Sequence, residues 1–210
     1  MRDRIKSTIK HINKNADHYE ERWADYLAHT HQKVLEIVDA DPKDVLLDVS
    51  AGTGLLAERY INNGYPFDKF VLNDPSHNML EKARQRLADN SQIQFSEHWV
   101  DAIDFENEKF DKIFCTSAFH NYPNQRATVY HLKKLLKPGG ELYVLDWNNS
   151  GWFRLVNWYI RLKVREEIIN TCSLQSASTL ITSARLEILK QKEWYFCYWK
   201  FFLIKARKPT

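Results

Sequence analysis

Along the chain, short apolar runs of strand length alternate with longer segments in which apolar residues recur every three or four positions. The runs VLLDV (from Val45), KFVLND, KIFCTS and ELYVLD lack the alternation of a strand with one wet face, which predicts strands buried on both sides. Between them, GLLAERYINN, SHNMLEKARQRLAD and NQRATVYHLKKLL have helical periodicity. The first is expected to close at Gly64 and the last at Lys137-Pro138-Gly139-Gly140, the residues that most readily stop a helix. Upstream, residues 3–38 are helix-like with a break near Asn13 to Asp17. After it, Trp23, Leu27, Val34 and Ile37 fall at helical intervals, so two N-terminal helices are expected before the turn at Asp41-Pro42.

Strands separated by helices of about 10 to 14 residues call for a mostly parallel sheet covered by helices on both faces, an open, doubly wound α/β domain. The end of the chain breaks that rhythm. LEILKQKEWYF and YWKFFLIKAR have only Cys197 between them, which leaves room for a hairpin and none for a crossover helix. The sheet is therefore expected to finish with an antiparallel edge, with Trp194, Tyr195, Phe196, Tyr198, Trp199, Phe201 and Phe202 as strand residues serving mainly sheet packing. No repeat, low-complexity tract or linker marks a second domain, so residues 1–210 are expected to form one.

Composition changes this picture little. The hydrophobic fraction is 44%, charged residues make up 27%, and the net charge is +3. No run approaches the roughly 18 apolar residues of a membrane span, and the N-terminal stretch lacks the apolar region of a secretory signal, so a cytoplasmic protein is expected. Scattered basic residues without interleaved stacking aromatics argue against nucleic acid as a partner. Cys115, Cys172 and Cys197 are isolated and odd in number, which argues against disulfides, and the pair His29 and His31 lacks the further ligands a metal site needs.

Chemistry concentrates where the first apolar run ends. In open α/β sheets ligands bind beyond the carboxyl ends of the strands, and the first strand-to-helix turn, here Ser50-Ala51-Gly52-Thr53-Gly54, is the usual place. Small residues let the backbone approach a ligand, and the helix start offers unpaired N–H groups. Gly52-x-Gly54-x-x-Ala57 also fits the pattern that cradles a dinucleotide. Asp48 opposes that fit, because a carboxylate beside a pyrophosphate is unfavourable, whereas it suits the ammonium and sulfonium of S-adenosylmethionine. Asp74, ending the second strand, is placed to accept hydrogen bonds from a ribose, as either cofactor requires.

The ordered series LLDVSAGTG, LNDPSHNMLEKAR, VDAIDF, FDKIFCTSAFHN and LKPGGELYVLDW, covering roughly residues 43–148, resembles the class I S-adenosylmethionine-dependent methyltransferases of the small-molecule type related to quinone-biosynthesis methylases. The resemblance implies a Rossmann-like, seven-stranded sheet, residues 43–148 as cofactor-binding core, the N-terminal helices and residues 149–180 as substrate cap, and 181–210 as the terminal hairpin. It further implies that Asp48, Ser50, Ala51, Gly52 and Gly54 surround the methionine part of the cofactor and that Asp74 holds the ribose. Pro75 and Met79 would lie against the adenine, Asp101 would accept its amino group with the Ala102 backbone alongside, and Ser117 would line the methyl-transfer side. Two departures stand out. Ser50 replaces the family's usual glycine, and IQFSEHWVDA runs about two residues longer than the usual spacing before Asp101.

Methyl transfer from an activated sulfonium needs positioning and exclusion of water, and a base only where the acceptor is a hydroxyl or a carbon acid. His120, just after the KIFCTS strand, could serve as that base, and Asp146, ending the ELYVLD strand, could touch the acceptor. Tyr19 and Trp23 could close over cofactor or substrate, although aromatic residues at helical spacing are more often core. GWFRLVNWYIRLKVREEI combines a broad apolar surface with basic residues and reads as a lid or dimer contact, or as a helix lying on an anionic membrane surface. The expected activity is methylation of a small, hydrophobic or aromatic acceptor by a monomer or homodimer, yielding S-adenosylhomocysteine. An NAD(P)-dependent oxidoreductase and a non-catalytic S-adenosylmethionine-binding module are the alternatives.

Overall fold

A computed structural model of the protein describes residues 19–105, 109–163 and 170–210. The helix expected before Asn13 lies outside the described residues. Seven strands form one mixed sheet in the order β3-β2-β1-β4-β5-β7-β6. They are β1 (Val45–Asp48), β2 (Lys69–Asn73), β3 (Ile93–Ser96), β4 (Phe110–Thr116), β5 (Leu136–Trp147), β6 (Glu187–Phe196) and β7 (Trp199–Arg207). The helices are α1 (Tyr19–Leu35), α2 (Leu55–Asn62), α3 (His77–Leu87), α4 (Gln125–Leu135), α5 (Phe153–Lys163) and α6 (Leu174–Ser183). The doubly wound α/β class read from the apolar runs is the observed one. The chain divides into two compact units, Met1–Phe114 and Cys115–Thr210.

In the first unit β1 lies in parallel between β2 and β4, with Leu46 opposite Phe70 and Lys112, and β3 extends the sheet beyond β2. Its apolar runs are buried as a parallel sheet demands: Leu46, Leu47, Phe70 and Phe114 are all sealed from solvent. Tyr60 of α2 packs edge-on against Phe70 and Phe114, with ring centroids 5.8 and 6.3 Å away. Gly64, at φ +73°, follows the end of α2 as expected of a residue that tolerates the left-handed conformation. A charged pair lies buried in this unit. Asp44, just before β1, takes a hydrogen bond from Lys112 Nζ of β4 at 2.5 Å and another from the Asp41 N–H at 2.8 Å, and both charged residues are buried.

In the second unit β7 runs antiparallel to β5, from Glu141 opposite Arg207 to Trp147 opposite Phe201, and β6 completes a hairpin with β7. Two expectations are corrected. Lys137-Pro138-Gly139-Gly140 does not form a separate stop between helix and strand. The strand begins at Leu136, and Gly139 N–H donates to Lys208 O while Lys208 N–H donates to Gly140 O, so pairing to the chain beyond β7 draws this stretch into the sheet. The hairpin turn has two residues rather than one: Phe196 pairs with Trp199, Cys197 turns at φ +52°, and Tyr198 belongs to the turn. Phe201 and Phe202 are fully buried, whereas Tyr195 is exposed on the edge strand β6 and Tyr198 is exposed in the turn. Among the described residues no helix is long and apolar enough to cross a membrane.

Removing one partner of a buried ion pair leaves the other charge without compensation, at a cost of about 3–5 kcal/mol. Lys112→Met is expected to destabilise the protein by that amount in urea unfolding, while the double variant Lys112→Met, Asp44→Leu recovers most of the loss.

Candidate functional site

The turn between β1 and α2 is held from three directions. Ala51 N–H donates to Asn73 O at 2.8 Å, Gly54 N–H closes the turn on Ala51 O at 2.9 Å, and Gly52 N–H donates to Asp74 Oδ2 at 2.9 Å. The other oxygen of Asp74 accepts the Ser76 N–H at 2.8 Å, and the Ser76 hydroxyl caps α3 by accepting from Met79 N–H. Asp74 thus joins the turn after β1 to the turn after β2, and each carboxyl oxygen keeps a lone pair for another donor. Asn73, absent from the sequence-derived site, is fully buried and links three loops: its amide donates to Val49 O and His98 O at 3.0 Å, and its oxygen accepts from His98 N–H. Its only signal in the sequence is its place beside Asp74, where β2 ends.

The two glycines of the turn have different reasons to be glycine. Both have positive φ, +54° at Gly52 and +79° at Gly54. A Cβ at Gly54 would sit 3.1 Å from the Ala83 Cβ and 3.3 Å from Leu87 Cδ1, so this residue lets α2 begin against α3. At Gly52 a Cβ meets nothing within 4 Å, so the backbone faces open space there. Arg86 of α3 secures the turn's far side, donating to Thr53 O at 3.1 Å, Glu58 at 2.7 Å and Glu20 of α1 at 2.5 Å.

Around that space the electrostatics call for a cation. Asp48 is buried at the end of β1 and accepts Ser50 N–H at 3.2 Å. Burial, assisted by the charge of Asp74 and opposed by the Ser50 bond, pushes its carboxyl up to about 7. Asp74 is raised to about 6, again by burial, against the bonds from Ser76 and Gly52. An ammonium entering beside them would favour their ionised forms. The open face at Gly52 and these two acids suit the amino-acid end and ribose of S-adenosylmethionine, and they disfavour a pyrophosphate.

The remaining expected cofactor residues are placed as follows. Pro75 is half-buried and Met79 is buried at the start of α3, while Asp101 and Ala102 are exposed in a short 3₁₀ turn, with Ala102 N–H donating to Trp99 O at 2.8 Å. Trp23 of α1 is half-buried, edge-on to Tyr26 with Arg22 over its ring. Tyr19 opens α1, and its side chain lies outside what is described.

In the second unit, Ser117 follows β4 at φ +54° and donates its N–H to Leu145 O at 2.8 Å. That conformation is uncommon for a residue with a side chain and marks a constrained turn. The next turn brings His120 and Asp146 together. Asp146 Oδ2 accepts the His120 main-chain N–H and Oδ1 lies 2.8 Å from His120 Nδ1. The imidazole stacks on Trp147 at 4.5 Å between centroids, and Trp147 stacks on Trp199 at 5.0 Å. Helix α5 follows, burying Phe153 and Asn157 but exposing Leu155, Trp158 and Tyr159, and Trp152 is exposed just before it. Among the described residues no cluster of His, Cys, Asp or Glu suits a metal ion.

The fold and its first strand-to-helix turn are similar to those of the class I S-adenosylmethionine-dependent methyltransferases. Residues 47–142 match the family model described as "Methyltransferase domain". The chain is 28% identical over 120 residues to the ubiquinone/menaquinone biosynthesis C-methyltransferase UbiE of Ectopseudomonas mendocina, which covers 56% of this chain and 47% of that protein. The chain thus spans about half the length of that relative. Among solved structures it is similar to the N-methyltransferase NodS of Bradyrhizobium japonicum, with a TM-score of 0.69 at 16% identity, covering 89% of this chain and 98% of that one. Phosphoethanolamine N-methyltransferase 2 of Haemonchus contortus, solved with S-adenosyl-L-methionine, gives 0.72 at 12% identity over 87% and 53% of the two chains. Of the two cofactors that suit the turn's sequence, S-adenosylmethionine is the one present in the Haemonchus contortus structure.

Two outcomes follow from the turn. Gly54→Ala adds steric strain to the unfavourable φ and is expected to lower the melting temperature by several degrees, whereas Gly52→Ala carries the conformational strain alone, about 1–2 kcal/mol. Binding reverses the order: Gly52→Ala, more stable than Gly54→Ala, is expected to lose more affinity for S-adenosylhomocysteine in calorimetry. The second outcome concerns pH. Because the folded protein holds protons on Asp48 that the unfolded chain releases near 3.8, stability falls as pH rises from about 4 to about 7 and stays reduced above. Asp48→Asn is expected to melt higher than the parent at pH 8 and to lose that advantage near pH 4 in thermal-shift measurements.

Proposed function

We propose that the protein transfers a methyl group from S-adenosylmethionine to a small acceptor with an apolar or aromatic body, and that residues 1–210 act as a single methyltransferase domain. The observation that carries this reading is the β1–α2 turn, where an open glycine backbone lies between two buried carboxyls that would each gain from a cationic neighbour. Bound there, S-adenosylmethionine would supply a methyl group activated by its sulfonium charge.

In this reading Asp48 with Ser50, Ala51, Gly52 and Gly54 holds the amino-acid end. The remaining oxygen lone pairs of Asp74 take the ribose hydroxyls, while Pro75, Met79, Asp101 and Ala102 surround the adenine. Ser117, His120 and Asp146 serve the acceptor side, with Trp23 and Tyr19 contributed by α1. The relatives' names span carbon, nitrogen and oxygen methylation, so the domain's likeness alone selects no acceptor atom. The exposed aromatic face of α5 with Arg154 would suit entry of a greasy acceptor or contact with an anionic surface.

Isothermal calorimetry with S-adenosylhomocysteine tests the cofactor half. Binding is expected, with affinity rising from pH 6 to pH 8 as Asp48 and Asp74 ionise. Asp74→Asn is expected to weaken it by tenfold or more, since the charge-assisted bonds to a ribose are lost. A folded parent protein that binds NADH but not S-adenosylhomocysteine would overturn the reading.

A further inference from the structure

Helix α5 carries large apolar side chains on two opposite faces, and among the described residues the second unit covers one of them. Phe153 and Asn157, one turn apart, are buried: the Phe153 ring lies 5.6 Å from that of Trp199 and 6.5 Å from that of Trp147, and the Asn157 amide donates to Thr171 Oγ1 at 2.7 Å. Leu155 stands midway between them in sequence, which at about 100° per residue puts it on the opposite side of the helix. Trp158 and Tyr159, three and four residues further on, share its face. All three have more than half of their surface exposed, as has Trp152 just before the helix. The patch continues onto the sheet edge. Tyr195 of β6 is half exposed, and its hydroxyl lies 2.9 Å from where a Cβ on Gly151 would stand, so the start of α5 sits beside it. The charge on this segment has one sign. Arg154 is exposed, and from Gly151 onward the sequence has Arg154, Arg161, Lys163 and Arg165 before its first acid, Glu166. Glu193 on β6 is ion-paired to Lys200 at 2.9 Å, and the same lysine lies over the Tyr195 ring.

We propose that this outer face of α5 docks on an anionic lipid membrane, with the helix lying in the headgroup layer. The surface belongs to the second unit alone and docks whether or not the methyltransferase reading holds. Eleven helical residues are about 16 Å long, about half the apolar thickness of a bilayer, so the helix lies along the membrane and does not cross it. Tryptophan and tyrosine settle at the headgroup level, where the ring is in an apolar setting and the N–H or O–H still meets water. Leu155 among them reaches the boundary with the acyl chains. Basic residues beside such a face are drawn to phosphate-bearing lipids, and the attraction acts within about one Debye length of the surface. The same charge disfavours a second copy of the chain as the occupant. A two-fold contact presses a patch onto its own image, so the basic residues of the two copies would be brought against each other.

Vesicle sedimentation tests this, with vesicles of phosphatidylcholine alone and of equal parts phosphatidylcholine and phosphatidylglycerol. The parent protein is expected to pellet with the mixed vesicles, to bind them at least tenfold more tightly than the neutral ones, and to be released as sodium chloride is raised to about 0.5 M. Its tryptophan emission is expected to shift to the blue on the mixed vesicles and to be quenched by lipids brominated near the headgroup end of the acyl chain. The double variant Leu155→Gln, Trp158→Gln is expected to bind at least tenfold more weakly and to lose much of that quenching. Both side chains are exposed, so its circular dichroism and melting temperature are expected to match the parent's. Arg154→Gln, which leaves the apolar face untouched, is expected to weaken binding to the mixed vesicles about fivefold and binding to the neutral ones hardly at all. A parent protein that stays in solution with the mixed vesicles, that binds both kinds equally, or whose binding is indifferent to Leu155, Trp158 and Arg154 overturns the proposal. So does a dimer in equilibrium sedimentation that the double variant dissolves, because a second copy then covers the face.

Discussion

The bond from Gly52 N–H to Asp74 is the constraint on which the cofactor turn depends. A buried carboxyl at the end of β2 reaches across to the backbone of the turn after β1, and its second oxygen begins the turn into α3. This bridge holds Gly52 in a left-handed conformation with its backbone turned to open space. Asn73 repeats the arrangement one residue earlier, tying the same turn to the chain after β3. Three parallel strands therefore end in loops that hold one another, which suits a site that must bind a flexible, charged molecule without reorganising.

That rigidity has an electrostatic consequence. Placing Asp48 and Asp74 in the same dry neighbourhood raises both, and the folded protein is less stable near neutral pH than it would be with neutral side chains there. A cation placed there would relieve this stored unfavourable energy, and in the proposed reading it would become binding energy for the ammonium end of S-adenosylmethionine. His120 has a comparable economy in the second unit, where a carboxyl with three donors and an aromatic stack specify one orientation of one ring.

How much of this was legible beforehand depended on whether the signal was local. The strand at Val45–Asp48, the helix closed by Gly64, and the glycine turn between them follow from apolar run length and from residues that tolerate positive φ, both properties of a short segment. Asp48 and Asp74 could be marked because strand ends in such sheets face the ligand. Asn73 and Arg86 could not, because an asparagine beside an aspartate and an arginine in a helix say nothing of the loops they will reach. The stop expected at Lys137-Pro138-Gly139-Gly140 illustrates the same limit: local chemistry argued for a break, and pairing with the distant residue Lys208 made it part of a strand. Tyr198 was displaced for a related reason, since the register between β6 and β7 set the turn at two residues.

By itself, then, the sequence determined the alternation of strands and helices, the antiparallel end of the sheet and the location of the glycine turn after β1, because each rests on hydrophobic period or on backbone preference within a few residues. Only the tertiary structure decided which polar groups meet: that Asp74 would hold Gly52, that Gly54 would be closed by Ala83 and Leu87 while Gly52 stayed open, and that Asp146 would orient His120 against Trp147. Those pairings join residues far apart in the chain, and no local preference encodes them. They arise when the buried strands align and bring their ends together.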